Sequence, residues 1–152
     1  MNEAARAERL KTLYGLEAHP EGGSFSEVYT SPASKEGRPL AGSIYFLLGP
    51  GEISHLHQID CDEIWYYHEG CGMRITVLTE TGKAEYRLGP DAEHGARAMV
   101  VIPAGAMFAA ENLTAEGYTF VSCATVPKFR YQGFRMIARE ELSYPELDRL
   151  IL

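Results

Sequence analysis

Gly49-Pro50-Gly51-Glu52-Ile53-Ser54-His55-Leu56-His57-Gln58-Ile59-Asp60-Cys61-Asp62-Glu63-Ile64-Trp65-Tyr66-Tyr67-His68-Glu69-Gly70 is the stretch on which the reading of this 152-residue chain turns. Its centre is His55-Leu56-His57, and Glu63 follows after five intervening residues. In an extended strand alternate side chains leave on one side, so His55 and His57 project together while Leu56 goes to the opposite face. A chain that turns through Gln58 to Asp62 and returns antiparallel brings Glu63 to the same point. The expected product is a facial set of two nitrogens and one carboxylate oxygen, which suits a divalent metal such as iron, manganese, nickel or zinc. Five histidines make a chance His-x-His pair common. What raises this one is its frame: Gly49 and Gly70 stand where the two strands should turn.

The flanking sequence is strand-like. Phe25, Glu27 and Tyr29 share one face of a strand, and a carboxylate between two aromatics is either a general acid/base lining a pocket or an edge residue held by a cation. Ser43 to Leu48 is apolar on both faces, with Tyr45 beside Ser43 and Leu47 on one of them. On the strand from Glu63 to His68, Glu63, Trp65 and Tyr67 share a face. The two aromatics there form either a ligand-binding wall or core filling. Met73 to Leu78 and Ala84 to Leu88 form a hairpin around a turn at 80–83. Met99 to Ile102, a tight turn at Pro103-Ala104-Gly105, a strand carrying Phe108, and Tyr118 to Thr125 follow. A last short strand runs from Phe134 to Ala138.

Residues 2–13 are good helix formers with Gly15 at the stop position. Ser143 and Pro145 begin a second helix whose apolar side is Leu147, Leu150 and Ile151. Residues 31–39 read as a mobile loop, and His94 falls in an exposed one. The fold class is therefore all-β, about eight to eleven short strands between two small helices.

Composition narrows the function classes. With 45% hydrophobic residues, the chain supports one domain, residues 1–152 with a core at about 13–140, burying about 70% of its unfolded surface. A net charge of −7 and a pI near 5.2 argue against a nucleic-acid or anionic-membrane partner. No secretory signal pattern and no apolar run of about 18 residues is present, so a cytoplasmic location is expected. Cys61, Cys71 and Cys123 follow no paired spacing, which suits a reducing compartment.

The motif Gly49-x5-His55-x-His57-x5-Glu63-x6-Gly70 resembles the first signature of the cupin superfamily, with one insertion before Glu63. The second signature resembles Gly95, Pro103-Ala104-Gly105 and Asn112, but Phe108 stands where that signature has its histidine. The segments His19-Pro20-Glu21-Gly22-Gly23 through Tyr29, Ile44 to Leu48, Asp62 to Trp65, Val101 to Gly105 and Val126 to Phe129 resemble the small cupin-like family called domain of unknown function 985. The resemblance spans about residues 13 to 140. It implies a cupin-type double-stranded β-helix, a jelly-roll barrel, commonly a homodimer and similar in shape to nucleotide-sugar epimerases.

Phe108 cannot coordinate, so a metal would keep His55, His57, Glu63 and open positions; alternatively the ring is one wall of an organic pocket formed with His55, His57, Glu63 and Trp65. Three functions stay open. In the first, a metal-dependent isomerase, decarboxylase or oxygenase acts on a small polar molecule, with Glu27, Tyr45 or Tyr67 handling protons. The second is a metal-free epimerase for a sugar or nucleotide sugar with a histidine base and a tyrosine acid. The third is a non-catalytic metabolite-binding module.

Overall fold

The computed structural model describes residues 2–152. Helix α1 (Glu3–Tyr14) begins where the Asn2 side chain accepts a hydrogen bond from the Ala5 N–H and ends at left-handed Gly15, as capping chemistry dictates. Thirteen strands follow: β1 (Glu17–Ala18), β2 (Ser24–Thr30), β3 (Ser34–Lys35), β4 (Arg38–Pro39), β5 (Gly42–Leu48), β6 (Ile53–Gln58), β7 (Asp62–Gly70), β8 (Met73–Thr79), β9 (Gly82–Leu88), β10 (Met99–Ile102), β11 (Met107–Asn112), β12 (Thr119–Val126) and β13 (Arg135–Met136). They form a six-stranded sheet, β1-β2-β5-β12-β7-β10, and a five-stranded sheet, β13-β6-β11-β8-β9, both antiparallel.

The alternation in the sequence decides which residues meet between the sheets. Phe46, Leu48, Trp65, Ile75, Val77, Val100, Phe108 and Val121 form the central core, while the opposite faces are covered separately. On the six-stranded sheet, α1 lays Ala7 and Leu10 against Leu47, Tyr118 and Phe120. On the five-stranded sheet, Leu147 and Leu150 of the closing segment cover Leu56, Leu78 and Ala109. That segment winds as a 3-10 helix, Pro145–Leu150, with no side-chain cap from its start; the expected apolar side is buried in a tighter winding than an α-helix. Part of the expected loop at 31–39 is ordered as the β3–β4 hairpin.

Two local irregularities position the site. In β6, Phe108 of β11 faces His57 but Ala110 faces Ser54, so three residues of β6 are spanned by two of β11. This β-bulge breaks strict alternation. Ser54 and His57, three apart, reach one carboxylate, and Leu56 faces the C-terminal segment. The second irregularity is the turn His19-Pro20-Glu21-Gly22, closed by the Gly22 N–H donating to the His19 carbonyl at 3.0 Å. Pro20 presets the first central position of such a turn. Gly22, at φ +114, lies so close to β6 that a Cβ there would stand 1.9 Å from the Ile53 carbonyl oxygen; only glycine permits this approach.

Candidate functional site

Between the sheets lies a cavity of about 390 Å³, within the size range of small-molecule sites. Glu21, His57 and Glu63 form its buried end, with His19 beside them. Phe25, Ile44, Ile59, Cys123 and Thr125 line the sides. Glu27, Tyr29, Lys128, Phe129, Arg130 and Tyr131 surround the more exposed end.

Glu21 is the hub of the buried end. The docked turn drives its side chain inward, and its backbone carbonyl accepts hydrogen bonds from the His55 N–H and from His55 Nδ1, each at 2.8 Å. The carboxyl meets Ser54 Oγ, His57 Nε2 at 3.3 Å and His19 Nδ1 at 3.3 Å. His57 Nδ1 lies 2.6 Å from the His55 carbonyl. A carbonyl only accepts, so this nitrogen carries the ring proton and neutral His57 turns its Nε2 lone pair toward Glu21. His19 Nδ1 accepts from the Glu21 N–H at 3.2 Å.

Burial sets the protonation. It pushes the Glu21 carboxyl well above its ordinary range, with the neighbouring Glu63 charge adding to the shift. Burial raises Glu63 to about 7. The same desolvation lowers His57 to about 4 and His19 to about 4. Both partners of the Glu21–His57 contact are thus driven to their neutral forms, with the proton on the Glu21 carboxyl rather than on His57 Nε2. Burial also raises the Cys123 thiol well above its usual value and Cys61 to about 12, which makes both weak nucleophiles.

The placement of the expected residues differs in instructive ways. His57 and Glu63 line the cavity, but His55 does not; the bulge and the Glu21 carbonyl hold its ring elsewhere. Phe108 packs on His57 with ring centroids 4.2 Å apart and is wholly buried in the core, and Trp65 is a core residue rather than a cavity wall. Tyr45 lies on the opposite face of its strand, against Tyr14 and Phe120 beneath α1. The Tyr67 hydroxyl donates to the Gly70 carbonyl. Glu27 is at the cavity's exposed end and pairs with Lys128 at 2.5 Å, which lowers its pKa rather than raising it.

The divalent metal expected at His55, His57 and Glu63 fails the fit. His57 Nε2 meets Glu21, and His55 is outside the cavity, so the three expected ligands do not converge. Among the described residues no group of three or more His, Cys, Asp or Glu is disposed to hold a metal ion. His19 and Glu21 were the residues that periodicity missed. Their signal was the Pro-Glu-Gly-Gly turn, which carries no strand or helix pattern.

Two antiparallel sheets closed over an apolar core, with a largely apolar pocket that has a polar buried end, define a cupin-type barrel. The chain belongs to the cupin superfamily, in the family with domain of unknown function 985, whose model matches residues 8–137. A hypothetical protein from Leishmania major superposes with a TM-score of 0.84 at 30% identity, covering 95% of this chain and 96% of that one. A Shewanella oneidensis protein gives 0.88 at 32% identity, with 99% and 95% coverage. A mutant of Bacillus subtilis oxalate decarboxylase shares the fold at 20% identity and a TM-score of 0.61, covering 86% of this chain and 32% of that one. No curated protein sequence matches the chain. No helix among the described residues is long and apolar enough to cross a membrane.

Proposed function

We propose that the protein is an isomerase or epimerase that moves protons on a small, ring-bearing polar molecule. The observation that supports this reading is the Glu21–His57 contact at the buried end of the cavity, facing Glu63 and walled by Phe25 and Phe129. An isomerisation needs one group to take a proton from carbon and another to return one. The Glu63 carboxyl, raised to about 7 and so partly ionised at neutral pH, takes the proton from carbon, and the protonated Glu21 carboxyl returns one from across the cavity, with His57 Nε2 beside it. Ser54 donates to the Glu21 carboxyl and His19 Nδ1 accepts from the Glu21 N–H, so the residue is oriented before substrate arrives. The proton-handling roles expected for Glu27, Tyr45 and Tyr67 pass to these residues.

The test is deuterium incorporation into carbon-bound positions of a panel of sugars in heavy water, read by NMR. Wild type should wash in deuterium at one position of its substrate, and Glu21→Gln should slow this by roughly a hundredfold or more. Exchange that is unchanged in Glu21→Gln would sink the assignment. A ligand that binds and returns without exchange would favour the metabolite-binding reading.

The homodimer expected from the family resemblance is carried as part of the proposal. Met99 and Val101 of β10 lie beside Tyr66 and Ile64 of β7 on the outer face of the six-stranded sheet, and Met99, Val101 and Tyr66 are exposed there. A second copy of the same face would cover this uncharged patch isologously.

A further inference from the structure

The cavity is graded in charge along its length. Its buried end holds the carboxyls of Glu21 and Glu63, and no lysine or arginine lines it there. Every cation that lines it, Lys128 and Arg130, belongs to the exposed end. A second cavity of about 320 Å³ shares the wall Lys128, Phe129, Arg130 and Gln132 and adds Arg38 from β4. The two cavities therefore lie on either side of one segment, and the three cations are gathered along it.

Those cations outnumber the carboxylates they pair with. Asp60 takes both Arg38, at 2.8 Å, and Arg130, at 2.9 Å, while Lys128 takes Glu27. Three positive groups share two negative ones in these pairs, and Glu36, which also lines the second cavity, forms no ion pair with any of them among the described residues. Arg130 spends Nε and Nη2 on Asp60, and its Nη1 has no hydrogen-bond partner among the described residues. Half-exposed, it is able to offer Nη1 to an incoming anion.

We infer that the ligand is a neutral or cationic hydroxyl- or amine-bearing ring with an anionic tail, the ring going to Glu21 and Glu63 and the tail staying at Lys128 and Arg130. This deepens the isomerase reading and rests on its cavity. An anionic head would have to desolvate against two buried carboxyls with no cation to receive it, so small dianions such as oxalate are rejected from the buried end. A tail at the exposed end meets charge-assisted donors in partial contact with water. Phosphate and carboxylate tails share this chemistry.

The experiment is calorimetric titration of a set of pyranose sugars, each offered as the neutral sugar, its 1-phosphate and its uronate, with inorganic phosphate and oxalate alongside. In at least one ring series the anionic member should bind roughly tenfold or more tightly than the neutral sugar. Whether the phosphate or the uronate leads identifies the tail. The Lys128→Gln, Arg130→Gln double variant should erase that difference while leaving neutral-sugar affinity unchanged, and Arg130→Lys should retain part of it. Equal affinity of neutral and anionic members, oxalate binding more tightly than every sugar, or no binding by any anionic member would overturn the inference. Glu21→Gln separates the two readings, because it should stop deuterium exchange yet keep the anionic preference. Exchange that survives in this variant together with an intact preference removes only the acid–base assignment.

Discussion

Replacing Gly22 with alanine tests how Glu21 reaches the cavity. Two costs arise there. A non-glycine residue at φ +114 is strained, at about 1–2 kcal/mol. The new Cβ would also stand 1.9 Å from the Ile53 carbonyl oxygen, a backbone atom that cannot swing aside, so the turn must lift away from β6. Lifting it breaks the two hydrogen bonds from His55 to the Glu21 carbonyl, at about 1 kcal/mol each. The sum is about 3–4 kcal/mol, or a melting temperature lower by about 6–16 °C for a domain of this size. Gly51 is the control: its φ is +76 but an added Cβ meets nothing within 4 Å, so Gly51→Ala should cost only the strain, about 2–8 °C. Thermal unfolding followed by circular dichroism, with deuterium exchange as the second readout, separates the cases. Equal melting temperatures for the two variants, or full exchange activity in Gly22→Ala, would refute the docked-turn account.

Three further outcomes are expected. Glu63, raised from 4.5 to about 7, contributes stability that is present below about pH 4.5 and lost as pH rises toward 7. His57, lowered from 6.5 to about 4, contributes stability present above pH 6.5 and lost as pH falls toward 4. The two slopes oppose each other, so Glu63→Gln should make stability rise more steeply between pH 4.5 and 6.5 than in wild type, measured by urea unfolding; an unchanged slope would show that Glu63 is not held neutral. Leu150→Ala, at a fully buried position against the five-stranded sheet, should cost about 2–5 kcal/mol, and an unaltered urea midpoint would mean that the closing segment does not pack there. Met99→Asp should shift the sedimentation coefficient to that of a monomer under the dimer proposal, whereas an unchanged coefficient would remove this face from consideration.

The strands that frame the site were legible because one face of each is buried and period-2 alternation follows directly from the pleat. Phe46, Trp65 and Val100 turn inward, while Tyr45, Tyr66 and Val101 turn outward. Helix α1 was legible because Gly15 is a local stop with its own hydrogen-bonding chemistry. The two signature segments carried the family as well, since their glycines and prolines specify turns. Of the candidate site, His57 and Glu63 could be placed near one another from the His-x-His pair and the length of the return strand.

The identity of the chemistry at the buried end was decided only in three dimensions. A single bulged residue in β6 moves His55 out of the set and brings Ser54 in, and no local pattern in Ser54-His55-Leu56-His57 distinguishes a bulged strand from a straight one. Glu21 enters from a turn 33 residues before Ser54, held by a close backbone approach that exists only once the two segments have docked. The raised Glu63 and the lowered His57 follow from burial, which is a property of the packed barrel. Local periodicity and turn chemistry are written in short stretches of chain and so determined the fold; desolvation and the meeting of distant side chains belong to the assembled sheets and so decided the site.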